Sequence, residues 1–192
     1  MDVMRMLAER RTYRRFLQDK QISQDIIDDI LTSQRCASSA ANLQPLKYVV
    51  VKTPEVVEQI FPMVNWAARL PKELGTPKDG EHPTLFIVVL YENDKKTGWT
   101  DTDAGLAISN MTFAAWDHGV GSCIMGSVDR EQIRETLDID KRFAIHSVSA
   151  FGYPAHQSKI VDLANGDIAY YLDENRDYCV PKRSLEEVVR YQ

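Results

Sequence analysis

The chain has 192 residues, 44% of them hydrophobic and 27% charged, with only 9 Gly and 8 Pro, so it is expected to form one folded domain over residues 1–192 rather than a disordered or fibrous chain. Its formal net charge of -5 argues against a broad nucleic-acid or anionic-membrane surface, because both need a basic footprint. Any anion this protein binds should therefore be small and held locally.

In chain order, a first helix is expected from Asp2 to about Arg10, with Val3, Met6 and Leu7 on one face. Ser23 reads as an N-cap with Asp25 in the first turn, and Ile26, Ile27, Ile30 and Leu31 then recur at helical spacing. Tyr48–Val51 is β-branched and apolar and predicts a strand. Thr53-Pro54 opens a helix whose face is Val56, Val57, Ile60 and Phe61. Thr84–Tyr91 is apolar without alternation, which predicts a strand buried on both faces. Residues 101–119 start with Asp/Thr caps, end at Gly119 and are apolar over more than one stripe. Such a helix is expected inside a large core or against another chain. Asp129 and Gln132 resemble a capping pair, Ile145–Pro154 a last long strand, and Ser184 with Glu187 a capping box. The interval 165–183 is polar and aromatic by turns. It reads either as an arm packing elsewhere, such as across a dimer partner, or as a surface loop with one short strand. Loose alternation of helices and few strands gives α+β, a sheet sandwiched by helices.

Much self-contained chemistry is absent. No phosphate loop, GxGxxG, GxSxG or HExxH motif occurs. His82, His118, His146 and His156 are scattered and read as surface or strand residues, so no metal site is expected. Cys36, Cys123 and Cys179 form no CxxC pair, which fits a reduced, cytoplasmic setting; Cys123 reads as a small buried hydrophobe. No apolar run approaches membrane-spanning length and the N-terminus lacks an apolar leader core, so a chain starting near Met1, with no membrane partner, is expected. Either this is a binding protein or a cofactor carries the chemistry.

Two cationic segments stand out: "RRTYRRF" at 10–16 and "PKRS" at 181–184. Guanidinium groups grip phosphate bidentately and a Thr hydroxyl adds a donor. Taken alone, an arginine run at a helix end is better explained by dipole complementation and a solvated face. A third segment changes the balance. "CASSAANLQPLKYVVV", residues 36–51, ends a run of small residues in Asn42-x-Gln44-Pro45 just before a strand. Small side chains let a planar ligand approach the backbone, and the two amides suit the polar edge of a heterocycle.

The Arg-Arg-Thr-x-Arg-x-Phe opening, the Ser-x-x-Asn-x-Gln-Pro stretch, "DAGLAISNMTFAAWDHGVGSCIMG" and "PKRSLEEVV", in that order, resemble the FMN-dependent nitroreductase family. The resemblance implies an α+β fold with a central, mostly antiparallel sheet flanked by helices. It also implies an intertwined homodimer with FMN in the interface, and residues 165–183 as an arm crossing to the partner. By position, Arg10, Arg11, Thr12 and Arg14 would hold the flavin phosphate and one ring edge, and Lys182 and Arg183 would close the phosphate site. Asn42 and Gln44 would touch the flavin, with Ser38 and Ser39 in support. The backbone of Ile124, Met125 and Gly126 would line the ring. Arg15 is expected elsewhere, in a surface ion pair. The implied activity is FMN-dependent NAD(P)H oxidation, electrons passing to a small acceptor such as a nitroaromatic or quinone by ping-pong use of one flavin face. NADH or NADPH would be the co-substrate, and no side chain would be catalytic. Leu46 and Ile124 stand where the family often has aromatic residues, and the cover segment 65–83 is short; Trp66 within it reads as core. These departures keep open a non-nitroreductase role on the same fold, as oxidase, dehalogenase or flavin-processing enzyme. A non-enzymatic anion-binding module is the remaining alternative.

Overall fold

The computed structural model describes residues 2–192; Met1, the expected chain start, lies outside the described residues. Its elements, in order, are α1 (Val3–Glu9), α2 (Gln24–Gln34), β1 (Leu46–Val51), α3 (Pro54–Ile60), α4 (Lys72–Gly75), β2 (Leu85–Glu92), α5 (Thr100–Asp117), β3 (Gly121–Met125), α6 (Arg130–Thr136), β4 (Phe143–Gly152), β5 (Ser158–Asp162), β6 (Tyr171–Leu172), β7 (Tyr178–Lys182) and α7 (Leu185–Val188). The central sheet has the order β1-β2-β4-β3, and every neighbouring pair is antiparallel.

β2 explains why its sequence lacks alternation. Leu85, Ile87 and Val89 pack in one core with Ile27 and Ile30 of α2 and Ala104, Ile108 and Met111 of α5. Phe86, Val88 and Leu90 face the opposite core, with Val57 and Ile60 of α3 and Ile133 of α6. A strand covered on both faces needs apolar residues at both parities. Asp129 caps α6 by accepting from the Gln132 amide at 3.1 Å, and both halves of the Ser184–Glu187 capping box form. Ser23 precedes α2 without a side-chain cap bond.

The β2–β4 register has one fault. Val89 pairs with Ser147 and Leu90 with Ile145, which leaves His146 unopposed in a β-bulge.

The segment carrying the arginines continues the sheet at its outer edge. Thr12 bridges Ser122 in parallel, the Tyr13 amide donates to Ser122 O at 2.9 Å, and Phe16 bridges Pro154. Close approach is possible because β3 and β4 carry glycine there. A Cβ on Gly121 would lie 2.9 Å from Cβ of Tyr13, and one on Gly152 equally close to Phe16.

Four readings take a definite form in the structure. Val3 and Leu7 of α1 are exposed and no α1 residue is buried; that helix makes its main element contact with α5. α5 is buried through Asp103, Ala104, Ala107 and Met111, but Leu106 remains exposed, so its apolar circumference is not covered within one chain. GSCIM, for which the sequence pattern predicts no strand, forms β3, pairing with β4 from Gly121–Gly152 to Met125–Val148. Residues 165–183 carry β6 and β7, which join β5 in a small sheet of order β5-β7-β6. That sheet rests on its own chain through the buried Tyr178 and Cys179.

Candidate functional site

The arginine segment sits half-buried along β3. The Arg10 guanidinium lies 4.7 Å from the ring centroid of Phe113 on α5. Arg11 donates from Nη2 to the Leu7 carbonyl at 2.8 Å. The Nε atoms of both are buried and have no hydrogen-bond partner. Among the described residues no carboxylate lies within ion-pair distance of Arg10, Arg11 or Arg14. Burial, and then repulsion from Arg11, lowers the pKa of Arg10; burial also lowers that of Arg11, against an opposing effect of Tyr13. Two half-buried cations with orphaned donors and no acid form an anion site, because a buried charge is costly unless paired. A phosphate fits that donor set.

Arg14 is held differently. Its guanidinium lies 4.5 Å from the Tyr170 ring and 4.8 Å from the Tyr178 ring. Its main-chain amide donates to Nε2 of His156 at 3.0 Å. Arg15, expected in a surface ion pair, is instead buried and donates to the Arg176 carbonyl. Tyr13 and Phe16 on either side are buried as well, so this stretch packs into the body instead of lying on the surface.

The second cluster is the loop before β1. Ala41, Asn42 and Gln44 all have positive φ, 49°, 54° and 49°. Non-glycine residues adopt that region only when surroundings enforce it, and such strain gathers at functional sites. The enforcing group is Asp103 in the first turn of α5, which is buried. It accepts from Ser39 Oγ at 2.7 Å and from the Ala40 amide at 3.0 Å. Ser39 Oγ in turn accepts from the Gln44 amide at 3.0 Å, and Gln44 Nε2 donates to Asn42 Oδ1 at 3.0 Å. Ser38, Ser39, Asn42 and Gln44 thus line one cavity of about 580 Å³, with Asp103 at its wall. None of Arg10, Arg11, Thr12, Arg14, Lys182 or Arg183 borders it.

The third cluster follows β3. The Met125 side chain is buried in the core, so only its backbone could meet a ligand, whereas Ile124 is 49% exposed. The Gly126 carbonyl accepts from Arg130 Nη2 at 3.0 Å. Lys182 ends β7 opposite Asp162, and Arg183 lies 3.6 Å from Glu187. No hydrogen bond links either to the arginine segment within this chain.

Trp66 and Cys123 both lie in the core, and burial raises the Cys123 thiol. His82 and His156, read as surface or strand residues, are buried. Among the described residues, no group of three or more His, Cys, Asp and Glu side chains could hold a metal, and no helix is long and apolar enough to cross a membrane. Sequence reading missed Asp103, taken as a helix cap, and His156, Tyr170 and Tyr178, which lie more than 140 residues from the arginines they hold.

A sequence profile described as Nitroreductase family matches residues 7–153. The chain is 30% identical over 172 residues to a Methanothermobacter thermautotrophicus protein provisionally assigned as an NADH dehydrogenase/NAD(P)H nitroreductase; the match covers 87% of this chain and 85% of that one. Two solved structures share the fold. A nitroreductase-type protein of Desulfovibrio desulfuricans in complex with FMN matches at a TM-score of 0.71 and 20% identity, covering 100% of this chain and 97% of its own. An FMN-dependent nitroreductase of Clostridium difficile matches at a TM-score of 0.68 and 21% identity, covering 82% of this chain and 90% of its own. This chain belongs to the nitroreductase family.

Proposed function

We propose that this protein is an FMN-dependent NAD(P)H oxidoreductase that passes electrons to a small organic acceptor, a nitroaromatic, a quinone or similar, by ping-pong use of one flavin face. The observation that carries the reading is the pair Arg10 and Arg11, half-buried with orphaned Nε atoms and no acid beside them. Arg10, Arg11 and Thr12 hold the phosphate of FMN, and Lys182 and Arg183 close that site. Arg14, Asn42, Gln44, Ser38 and Ser39 bind the ring and its side chain, and the backbone of Ile124–Gly126 lines the ring. When bound, FMN supplies the redox chemistry; the chain binds, orients and shields it.

The working unit in this reading is a homodimer. Within one chain the loop of Asn42 and the edge of Arg10 border no common cavity, and Leu106 on α5 and Leu185, Val188 and Tyr191 near the C-terminus leave apolar surface open. A second copy covers that surface and sets the loop of one chain against the arginine edge of the other; residues 165–183, the expected crossing arm, are anchored on their own chain through Tyr178 and lead into the segment after them, which makes the crossing. Anaerobic stopped-flow mixing of the flavin-loaded protein with NADH and NADPH tests the activity. Rapid bleaching of the flavin by at least one is expected, and bleaching by neither would exclude it.

A further inference from the structure

We propose that His146 is the acid that protonates a quinone-type acceptor, and that the groove it faces is the acceptor site. The inference rests on the oxidoreductase reading above and deepens it.

The groove holds about 480 Å³ and is lined by Ile124, Gly126, Tyr91, Arg130, Asp101 and His146. One atom fixes how near His146 lies to the ring-lining backbone: Arg130 Nη2 donates to Gly126 O at 3.0 Å and to His146 O at 3.1 Å. Arg130 Nε donates to the Ile145 carbonyl at 3.0 Å, so this guanidinium spends its donors on main chain. Among the described residues no carboxylate forms an ion pair with it, so it leaves a positive charge in the groove.

His146 is placed there by a fault in the sheet. It is the unopposed residue of the β2–β4 bulge, and bulges commonly re-aim a side chain beside an active site. Its Nδ1 lies 2.9 Å from Ser147 Oγ and its Nε2 lies 3.4 Å from Oδ1 of Asp101. The order Ser–His–Asp invites a hydrolase reading, but Ser147 is only 3% exposed and cannot attack a substrate. Asp101 sits on the open side, its side chain 90% exposed, so it links the imidazole at 3.4 Å to bulk water. The titratable and charged groups facing the imidazole are Asp101 from α5, Tyr91 from β2 and Arg130 from α6.

The chemistry requires such a group for one acceptor class. A quinone that receives a hydride gains two electrons and one proton, and its carbonyl electron pair moves onto oxygen. That oxygen must take a second proton to become a hydroquinone. His146 supplies it: the imidazolium N–H bond breaks as the O–H bond forms, and water restores the proton past Asp101. Ferricyanide takes single electrons and no proton, so it serves as a reference that does not use the acid.

The experiment compares the flavin-loaded wild type with His146→Gln and His146→Asn, using NADH or NADPH and either a benzoquinone or ferricyanide. A positioned acid contributes on the order of a hundredfold or more. The ratio of quinone to ferricyanide turnover should therefore fall at least about tenfold in both variants, and the solvent deuterium isotope effect on the quinone reaction should change with it. An unchanged ratio in FMN-bearing variants would overturn the role of His146 alone. A wild type that takes up no FMN would overturn the oxidoreductase reading and this inference with it.

Discussion

The main-chain amide of Arg14 donates to Nε2 of His156 at 3.0 Å, while Nδ1 of the same ring lies 2.7 Å from the Gln157 carbonyl. Nε2 must therefore be the bare nitrogen and Nδ1 must carry the proton, so the ring is held neutral. Through this bond and the tyrosines over Arg14, the small C-terminal sheet fixes the strand that carries the arginines.

A pH prediction follows from that ring. Burial is the main cause that pushes the pKa of His156 down to about 4, with Arg15 and Arg14 acting in the same direction. In the unfolded chain the ring titrates near its ordinary 6.5. Between the two values the unfolded state holds a proton that the folded state lacks, so stability rises with pH across that window. Lowering the pH from 6.5 to 4 should cost up to about 1.4 kcal/mol per pH unit from this group. Urea midpoints from pH 7 to 4 should show that slope in the wild type and less of it in His156→Gln.

Packing of the arginine strand on β3 gives a second prediction. Gly121→Ala brings a methyl group within 2.9 Å of Tyr13, which should cost about 1–3 kcal/mol and weaken FMN binding. Gly98→Ala, in the turn before α5 with nothing within 4 Å, should instead change stability by less than about 0.5 kcal/mol. Thermal melts and FMN titrations of both variants separate the local clash from a general glycine effect.

Asp103 anchors the strained loop, so Asp103→Ala frees the Ser39 hydroxyl and the Ala40 amide from their partner. The loss should be about 1–3 kcal/mol. FMN affinity should fall more in Asp103→Ala than in Asp103→Asn, which keeps one acceptor. Equal affinity in wild type and both variants, measured by quenching of flavin fluorescence, would separate the loop from the cofactor site.

How much of this was legible in the sequence depends on range. Elements set by local pattern and caps emerged directly: β2 from its apolar run, α5 from its caps and Gly119, α7 from Ser184 and Glu187. β3 was hidden because Gly121 and Gly126 imitate a turn, whereas Gly121 is glycine to admit Tyr13. β5, β6 and β7 were hidden because the segment lacks a clear period and takes its order from the β5–β7 pairing, which joins residues 20 apart. The arginines were legible as a charge cluster, but the groups that hold them were not. Asp103 looked like a helix cap, and His146 owes its direction to a bulge that only strand register reveals.

The phosphate role of the cations yields a direct variant test. Arg10→Ala combined with Lys182→Ala removes two cations that no described carboxylate neutralises. It should lower FMN affinity at least about tenfold, by the scale of charge-assisted hydrogen bonds, while circular dichroism stays that of a folded protein. Full FMN occupancy in the double variant would remove both residues from the site.

The central claim is that the half-buried arginines serve FMN. The visible absorption spectrum of the purified protein, with the released chromophore identified by mass, tests it most directly. The account predicts a flavin spectrum and the mass of FMN, at about one per chain, at once or after incubation with FMN. A protein that stays colourless after that incubation would contradict it, and Arg10 and Arg11 would need another anion.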